Sequence, residues 1–258
     1  PYIGDIIEIK VQGLPDRICL TPEHKVLYKK SLLTGGWIRE YNFIEAQALK
    51  VGDTLYFHPV HPHETRDILT EGQCRLLGLY IAEGYSDKNQ VIWGFGGSEE
   101  YLADETITLL GKEFEKVATK RLDEKHHCWR VTVCSSKIAK WFHKYGGRLA
   151  WAKELKGSIL RLPHYKLELI LNSWAEGDGY KVGNQQQVYT TSRNLAYQMW
   201  NIAIRIGFKT YLYKRKAKSG HRESWVLAWS VSHKYRYANL EHKVKSIKRL
   251  PYAGLVYN

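Results

Sequence analysis

Two stretches of this chain repeat one another, and an internal repeat constrains a fold more than any single motif. The first, CRLLGLYIAEGY, runs from Cys74 to Tyr85, and the second, ELILNSWAEGDGY, from Glu168 to Tyr180. Each is an apolar, helix-like run that closes on acid, glycine and tyrosine. A strand-like piece follows each one (QVIWGFG and QQVYTT). Next come a serine and a helical segment with Leu-Ala near its start (SEEYLADETITLLGKEF and TSRNLAYQMWNIAIRIGF). Each copy ends in a strand-like pair around a basic turn, closing on WRVTVCSSK or WVLAWSVSHK. Glu83 lies 46 positions before Trp129 and Asp178 lies 47 before Trp225; Glu83 to Lys137 is 54 positions and Asp178 to Lys234 is 56. Four features in one order at matching intervals predict a duplicated α/β unit.

The ends of the two runs pose an electrostatic problem. A helix C-terminus carries partial negative charge, so carboxylates in its last turn are disfavoured. Small residues fall four apart in each run, Gly78 and Ala82 in one, Ser173 and Gly177 in the other. That spacing puts them on one helical face, and small faces let two helix backbones approach closely. Packed face to face with parallel ends, the helices would bring Glu83 and Asp178 together. Two like charges at that range repel, and a divalent cation removes the conflict. Hard carboxylate oxygens suit Mg²⁺, with waters and phosphate oxygens completing its shell. The plain alternative is two ordinary helices with exposed acids beside capping glycines.

Composition narrows the partner. Lys and Arg total 39 against 26 Asp and Glu, a formal charge of +13, which favours a polyanion, most often nucleic acid. A basic soluble protein without such a partner is the alternative. Nine Trp and eighteen Tyr suit base stacking or sheet padding equally. Cys19, Cys74, Cys128 and Cys134 form no CxxC pair and no zinc-spaced cluster with His, so they read as reduced thiols of an intracellular protein, in the cytoplasm or nucleoid. The apolar runs are too short to span a membrane, and Pro1 to Lys10 does not read as a signal peptide. The start without Met reads as a processed or excised product.

Leu76–Gly84 and Leu171–Gly179 closely resemble the paired signature of LAGLIDADG homing endonucleases, over about residues 70–250. The resemblance implies an α+β fold with a duplicated αββαββα unit. That gives a pseudo-twofold monomer with lobes at 70–165 and 166–242 and saddle-like sheets on double-stranded DNA. It implies a site-specific endonuclease that hydrolyses both strands of a long asymmetric target with Mg²⁺, Mn²⁺ or Ca²⁺ substituting for binding. Glu83 and Asp178 become the catalytic metal ligands, with Ala82 and Gly177 flanking them in the metal site. Position 83 is Glu where the family more often has Asp, and Glu176 fills a position usually acidic without ligating. The family also keeps a lysine near each centre. Lys153 and Lys156 are the first-lobe candidates, ahead of Lys137, and Lys243, Lys245 and Lys248 are the second-lobe candidates. The turn Tyr213 to Arg222 offers Lys214, Arg215, Lys216, Lys218 and Arg222 to DNA, and its counterpart offers Lys120 and Arg121. A cleavage-inactive binder of the same fold, a maturase or a regulator, is the alternative.

The flanks read as β structure. IGDIIEIKV alternates like a strand, DRICLTPEHKVLYKK reads as a hairpin, and Val51-Gly52-Asp53 is a turn before another strand. Thr21 and His24, at Thr-x-x-His spacing, with VGDTLYF and the tail YAGLVYN, are similar to parts of a Hint (intein) splicing domain. Residues 1–60 and 243–258 would then form one discontinuous, mostly-β domain around the endonuclease. No Cys or Ser opens this chain and no His-Asn pair closes it. Thr21 and His24 are therefore expected as relics of splicing, and a decayed splicing module is a further alternative.

Overall fold

The computed structural model describes residues 1–29, 41–57, 65–217, 222–234 and 241–256. The chain divides into two compact units: Pro1–Pro59 with Tyr235–Asn258, and Val60–Lys234.

The first unit is a six-stranded sheet. Its strands are β1 (Tyr2–Val11), β2 (Ile18–Leu20), β3 (Lys25–Lys29), β4 (Tyr41–Glu45), β5 (Thr54–Tyr56) and β14 (Glu241–Gly254), in the order β2-β1-β14-β5-β3-β4. The alternation legible in β1 buries Ile7, Ile9 and Val11 on one face, where they join Leu55 and Val244. The tail is a single long strand along β1, with Tyr2 opposite Gly254. Gly52 makes the expected turn into β5 with φ of 99°, a conformation that suits glycine. One expectation fails. The His24 amide does donate to the Thr21 carbonyl across a turn, but β2 and β3 do not form a hairpin. β2 pairs with β1, and β3 pairs with β4 and β5. Ile18 sits opposite Ile9, so distant apolar partners outweigh the short turn. The TGGW segment lies outside the described residues.

The second unit contains the repeat. Its first copy is α1 (Glu71–Glu83), β6 (Gly84–Ser86), β7 (Gln90–Gly96), α2 (Glu100–Phe114), β8 (Thr119–Asp123), β9 (Cys128–Cys134) and α3 (Ser136–Gly146). Its second is α4 (His164–Asp178), β10 (Gly179–Val182), β11 (Gln185–Thr190), α5 (Arg193–Ile206), β12 (Phe208–Arg215) and β13 (Ser224–Lys234). Each copy forms a four-stranded antiparallel sheet of equivalent order, β6-β7-β9-β8 and β10-β11-β13-β12. The second copy departs from the expected αββαββα pattern, because no helix follows β13 among the described residues and the next described element is β14 of the other unit.

α1 and α4 are the central pair. Leu76, Leu77, Leu79 and Tyr80 on α1 are fully buried, as are Leu167, Ile170, Leu171 and Trp174 on α4. Each such side chain stabilises the fold by about 1.5–3 kcal/mol. Apolar residues surround most of each helix because each packs on its twin and on its own sheet. Thr70 starts α1 with a capping box: its hydroxyl accepts from the Gln73 amide, and the Gln73 side chain accepts from the Thr70 amide. In the first copy the Phe142 ring of α3 packs at a tilt on Tyr80 (4.7 Å) and edge-to-face on Trp93 (5.2 Å), which ties α1 and α3 to β7.

Candidate active site

The small-residue faces decide where the acids go. A β-carbon built on Gly78 would lie 2.4 Å from the Ser173 β-carbon and 2.7 Å from the Ile170 carbonyl oxygen. One built on Gly177 would lie 2.6 Å from the Ala82 β-carbon and 3.1 Å from Glu83 Cγ. Backbone therefore approaches backbone from the middle of the pair to its end. α1 stops at Glu83 and α4 stops at Asp178, next to the Gly177 that packs on Glu83, so the Asp178 charge acts on the Glu83 carboxyl.

Their electrostatics follow from that meeting. Burial, then the nearby Asp178 and Glu99 charges, pushes the Glu83 carboxyl up to about 7, while Lys153 opposes the shift. Asp178 is also pushed up, first by loss of water on its protein side, with Lys153 pulling against it. Asp178 keeps one face in solvent, which screens this effect. Open acids beside a protein wall are what a hydrated cation needs.

Lys153 stands with this pair. It is 5% exposed, and its ammonium donates to the carbonyl oxygens of Tyr80 (2.8 Å) and Ile81 (2.7 Å) in the last turn of α1. A cation there relieves the dipole conflict raised by the sequence. Burial lowers its pKa to about 8, while Asp178 and Glu83 raise it. The Ser192 hydroxyl fixes its backbone by donating to the Lys153 carbonyl at 2.6 Å.

The other candidates separate from this centre. Lys156 is exposed and lines a different cavity of about 640 Å³ with His143, Lys144 and Arg148. Lys243, Lys245 and Lys248 are exposed on β14 of the first unit. Glu176 is held by Arg75, whose guanidinium donates to it at 2.6 Å and to Glu105 at 2.9 and 2.6 Å. Glu99 is the residue sequence reasoning missed. It precedes α2, accepts from the Gly96 amide at 2.7 Å, and raises both catalytic candidates. Its serine-acid-acid setting before a helix resembles any capping segment, so no signal set it apart.

Each sheet turns one face away from the helices. Arg121 is exposed on that face in the first copy. Lys120 points the other way, to Glu100 (2.8 Å) and Asp104 (2.5 Å) on α2. In the second copy Arg215 lies over the Tyr189 ring at 5.8 Å, and Lys216 is exposed. Lys214 is paired with Glu223 at 2.7 Å, and Arg222 lies over Trp151 at 4.8 Å. Lys218 lies outside the described residues. In the first unit Thr21 and His24 line a cavity of about 370 Å³ with Cys19 and Tyr252.

Residues 167–242 match the LAGLIDADG-like domain. The match covers the second repeat from the first turn of α4 through β13. Among relatives, protein MJ0043 of Methanocaldococcus jannaschii is 28% identical over 299 residues, covering 94% of this chain and 37% of that protein. The ATP-dependent DNA helicase Hel308 of Thermococcus kodakarensis is 26% identical, covering 71% of this chain and 20% of the helicase. An iron-sulfur cluster assembly SufBD family protein of Mycobacterium tuberculosis is 25% identical, covering 67% and 22%. The chain thus spans between a fifth and two-fifths of the length of these relatives. Among solved structures, the homing endonuclease I-DmoI aligns with a TM-score of 0.49 at 14% identity, over 62% of this chain and 89% of that one. Full-length DUF199/WhiA aligns at 0.44 and 10%, over 63% and 51%.

The acid pair fits a divalent metal. Its donors are hard oxygens, and burial and neighbouring acids raise both carboxyls despite Lys153, a conflict that a divalent cation relieves. No cluster of three or more His, Cys, Asp or Glu suited to a metal occurs among the described residues, so waters and substrate oxygens would supply the rest of the shell. No helix among the described residues is long and apolar enough to cross a membrane.

Proposed function

We propose that the chain is a site-specific DNA endonuclease that hydrolyses both strands of a long, asymmetric duplex, with divalent metal held by Glu83 and Asp178. The observation that carries this reading is the convergence of those carboxyl groups at the ends of two glycine-packed helices, beside a buried lysine and between two open sheet faces. The charge of +13 suits a duplex polyanion. The sheets would bind and orient the backbone, and Glu83 and Asp178 would hold the ion where the two lobes meet. When bound, the metal supplies Lewis acidity and an activated water. Lys153, held on the Tyr80 and Ile81 carbonyls within electrostatic reach of the acids, would offset charge that builds on the phosphate.

The first unit reads best as a splicing-type β domain. In its support, Thr21 and His24 share one cavity, and the matched segments fill minor fractions of relatives whose named activities, DNA unwinding and iron-sulfur assembly, have nothing in common. A mobile insertion would leave that pattern. The second reading, a DNA binder that does not cut, is favoured by one observation: the Lys153 ammonium already neutralises part of the acid pair.

A plasmid library of randomised sites, incubated with the chain and MgCl₂, tests the proposal. Linear products are expected that vanish in EDTA and with Asp178→Asn, while Asp178→Asn still retards the same sites. Cleavage that survives in Asp178→Asn removes the proposed centre, and binding without cleavage in any divalent ion establishes the second reading.

A further inference from the structure

Trp174 lies one turn before Asp178 on α4 and is fully buried. Helical side chains lean toward the helix N-terminus, so the side chain of Asp178 leans back over residue 174, four positions earlier. An indole has one hydrogen-bond donor and no acceptor. The Trp174 Nε1–H is sealed from solvent and meets no acceptor of ordinary hydrogen-bond geometry among the described residues. It nevertheless acts on the Asp178 carboxyl, favouring the charged form against the burial that raises this acid. The donor is therefore within reach of the carboxylate without closing a full bond.

The repeat shows that packing alone does not ask for this donor. Leu79 is the α1 counterpart of Trp174, as Glu83 is of Asp178. Leu79 is equally buried and offers no hydrogen bond. The ends of the two helices are thus served differently. At the end of α1, the Lys153 ammonium bonds the carbonyls of Tyr80 and Ile81. The last turn of α4 holds no basic residue, and its dipole repels a carboxylate. Only the neutral indole N–H of Trp174 stands behind the acid from its own helix. A buried indole is not by itself such a device. Trp93 on β7 also hides an Nε1–H without an acceptor, but its neighbours are the Tyr80 and Phe142 rings.

Resting on the reading that Glu83 and Asp178 hold a divalent ion, we propose that Trp174 is a positioning residue whose indole N–H fixes the Asp178 carboxylate in the direction that meets the metal. Fully buried, it touches neither the ion nor DNA. Hydrogen-bond partners behind a ligating carboxylate orient it and tune its affinity. The test is isothermal titration of the full chain with MgCl₂. Trp174→Phe keeps an aromatic ring, removes the donor and should weaken Mg²⁺ binding about 10- to 100-fold. Trp93→Phe removes an indole N–H elsewhere in the core and should leave that affinity unchanged. The melting temperature gives a second readout: Trp174→Phe should need about 10- to 100-fold more MgCl₂ for the same rise. Wild-type affinity in Trp174→Phe, or an equal loss in Trp93→Phe, overturns the assignment and leaves the metal centre standing. An unaltered chain that binds no Mg²⁺ overturns both. If Trp174→Phe does not fold, the Trp174 indole proton is followed by NMR in the unaltered chain. It should move downfield as MgCl₂ is added and its bond to the carboxylate closes, and an unmoved resonance overturns the proposal.

Discussion

Gly78 sits against Ser173 so closely that a single added methyl group would lie 2.4 Å from the serine β-carbon. This contact sets the separation of α1 and α4, and through it the meeting of Glu83 and Asp178.

Gly78→Ala should therefore destabilise the second unit by about 1–3 kcal/mol, the usual effect of overpacking a core, even though alanine favours a helix. The Ile170 carbonyl at 2.7 Å is backbone and gives way only if the helices part. Denaturant unfolding measures the loss, and isothermal titration with Mg²⁺ should show weaker binding in the same variant. Unchanged stability would show that the helices are not held at this distance.

Acidity should tune stability through Glu83. In the folded chain its carboxyl is raised from 4.5 to about 7, so between those values the folded state binds more protons than the unfolded one. Stability then falls as pH rises through about 7. In EDTA the melting temperature should drop between pH 5 and 8, and Glu83→Gln should flatten that slope. MgCl₂ at pH 8 should restore the loss by binding the folded state. A melting temperature that climbs over this range in EDTA would contradict the geometry.

Glu176 and Asp178 are two positions apart and should behave differently. Glu176→Gln gives up an ion pair whose acid is partly solvated, so about 0.5–1.5 kcal/mol of stability is the expected loss. Cleavage should persist. Arg75→Met removes donors to both Glu105 and Glu176 and should cost more than Glu176→Gln alone. Loss of cleavage in Glu176→Gln, with the fold intact by circular dichroism, would make Glu176 part of the centre.

Thiol chemistry should report burial. Cys74 is buried on α1, and loss of solvation pushes its thiol up to about 12. Cys19 and Cys134 are exposed. Native labelling with iodoacetamide at pH 8, read by peptide mass spectrometry, should modify Cys19 and Cys134 and spare Cys74 until the chain unfolds.

Much of this was legible in the residues. The repeat located α1, β7, α2 and the β8–β9 pair, with their counterparts α4, β11, α5 and the β12–β13 pair, because the interval between motifs is a property of the chain alone. The four-residue spacing of Gly78 and Ala82, and of Ser173 and Gly177, named the faces that touch. Glu83 and Asp178 could be singled out from those features and from the family likeness, which left Lys153 as one of several candidate lysines. Strand pairing could not be read so far. β2 leaves its neighbour β3 for β1, and β14 crosses the whole chain to lie along β1, because apolar strand faces choose partners by fit in three dimensions. Nor could the lysines be ranked: Lys153 and Lys156 are three residues apart, yet one is sealed against helix carbonyls and the other is in water. Sequence periodicity fixes which residues share a face. Which face meets which, and so which charge loses its water, is settled only when the packed chain excludes solvent.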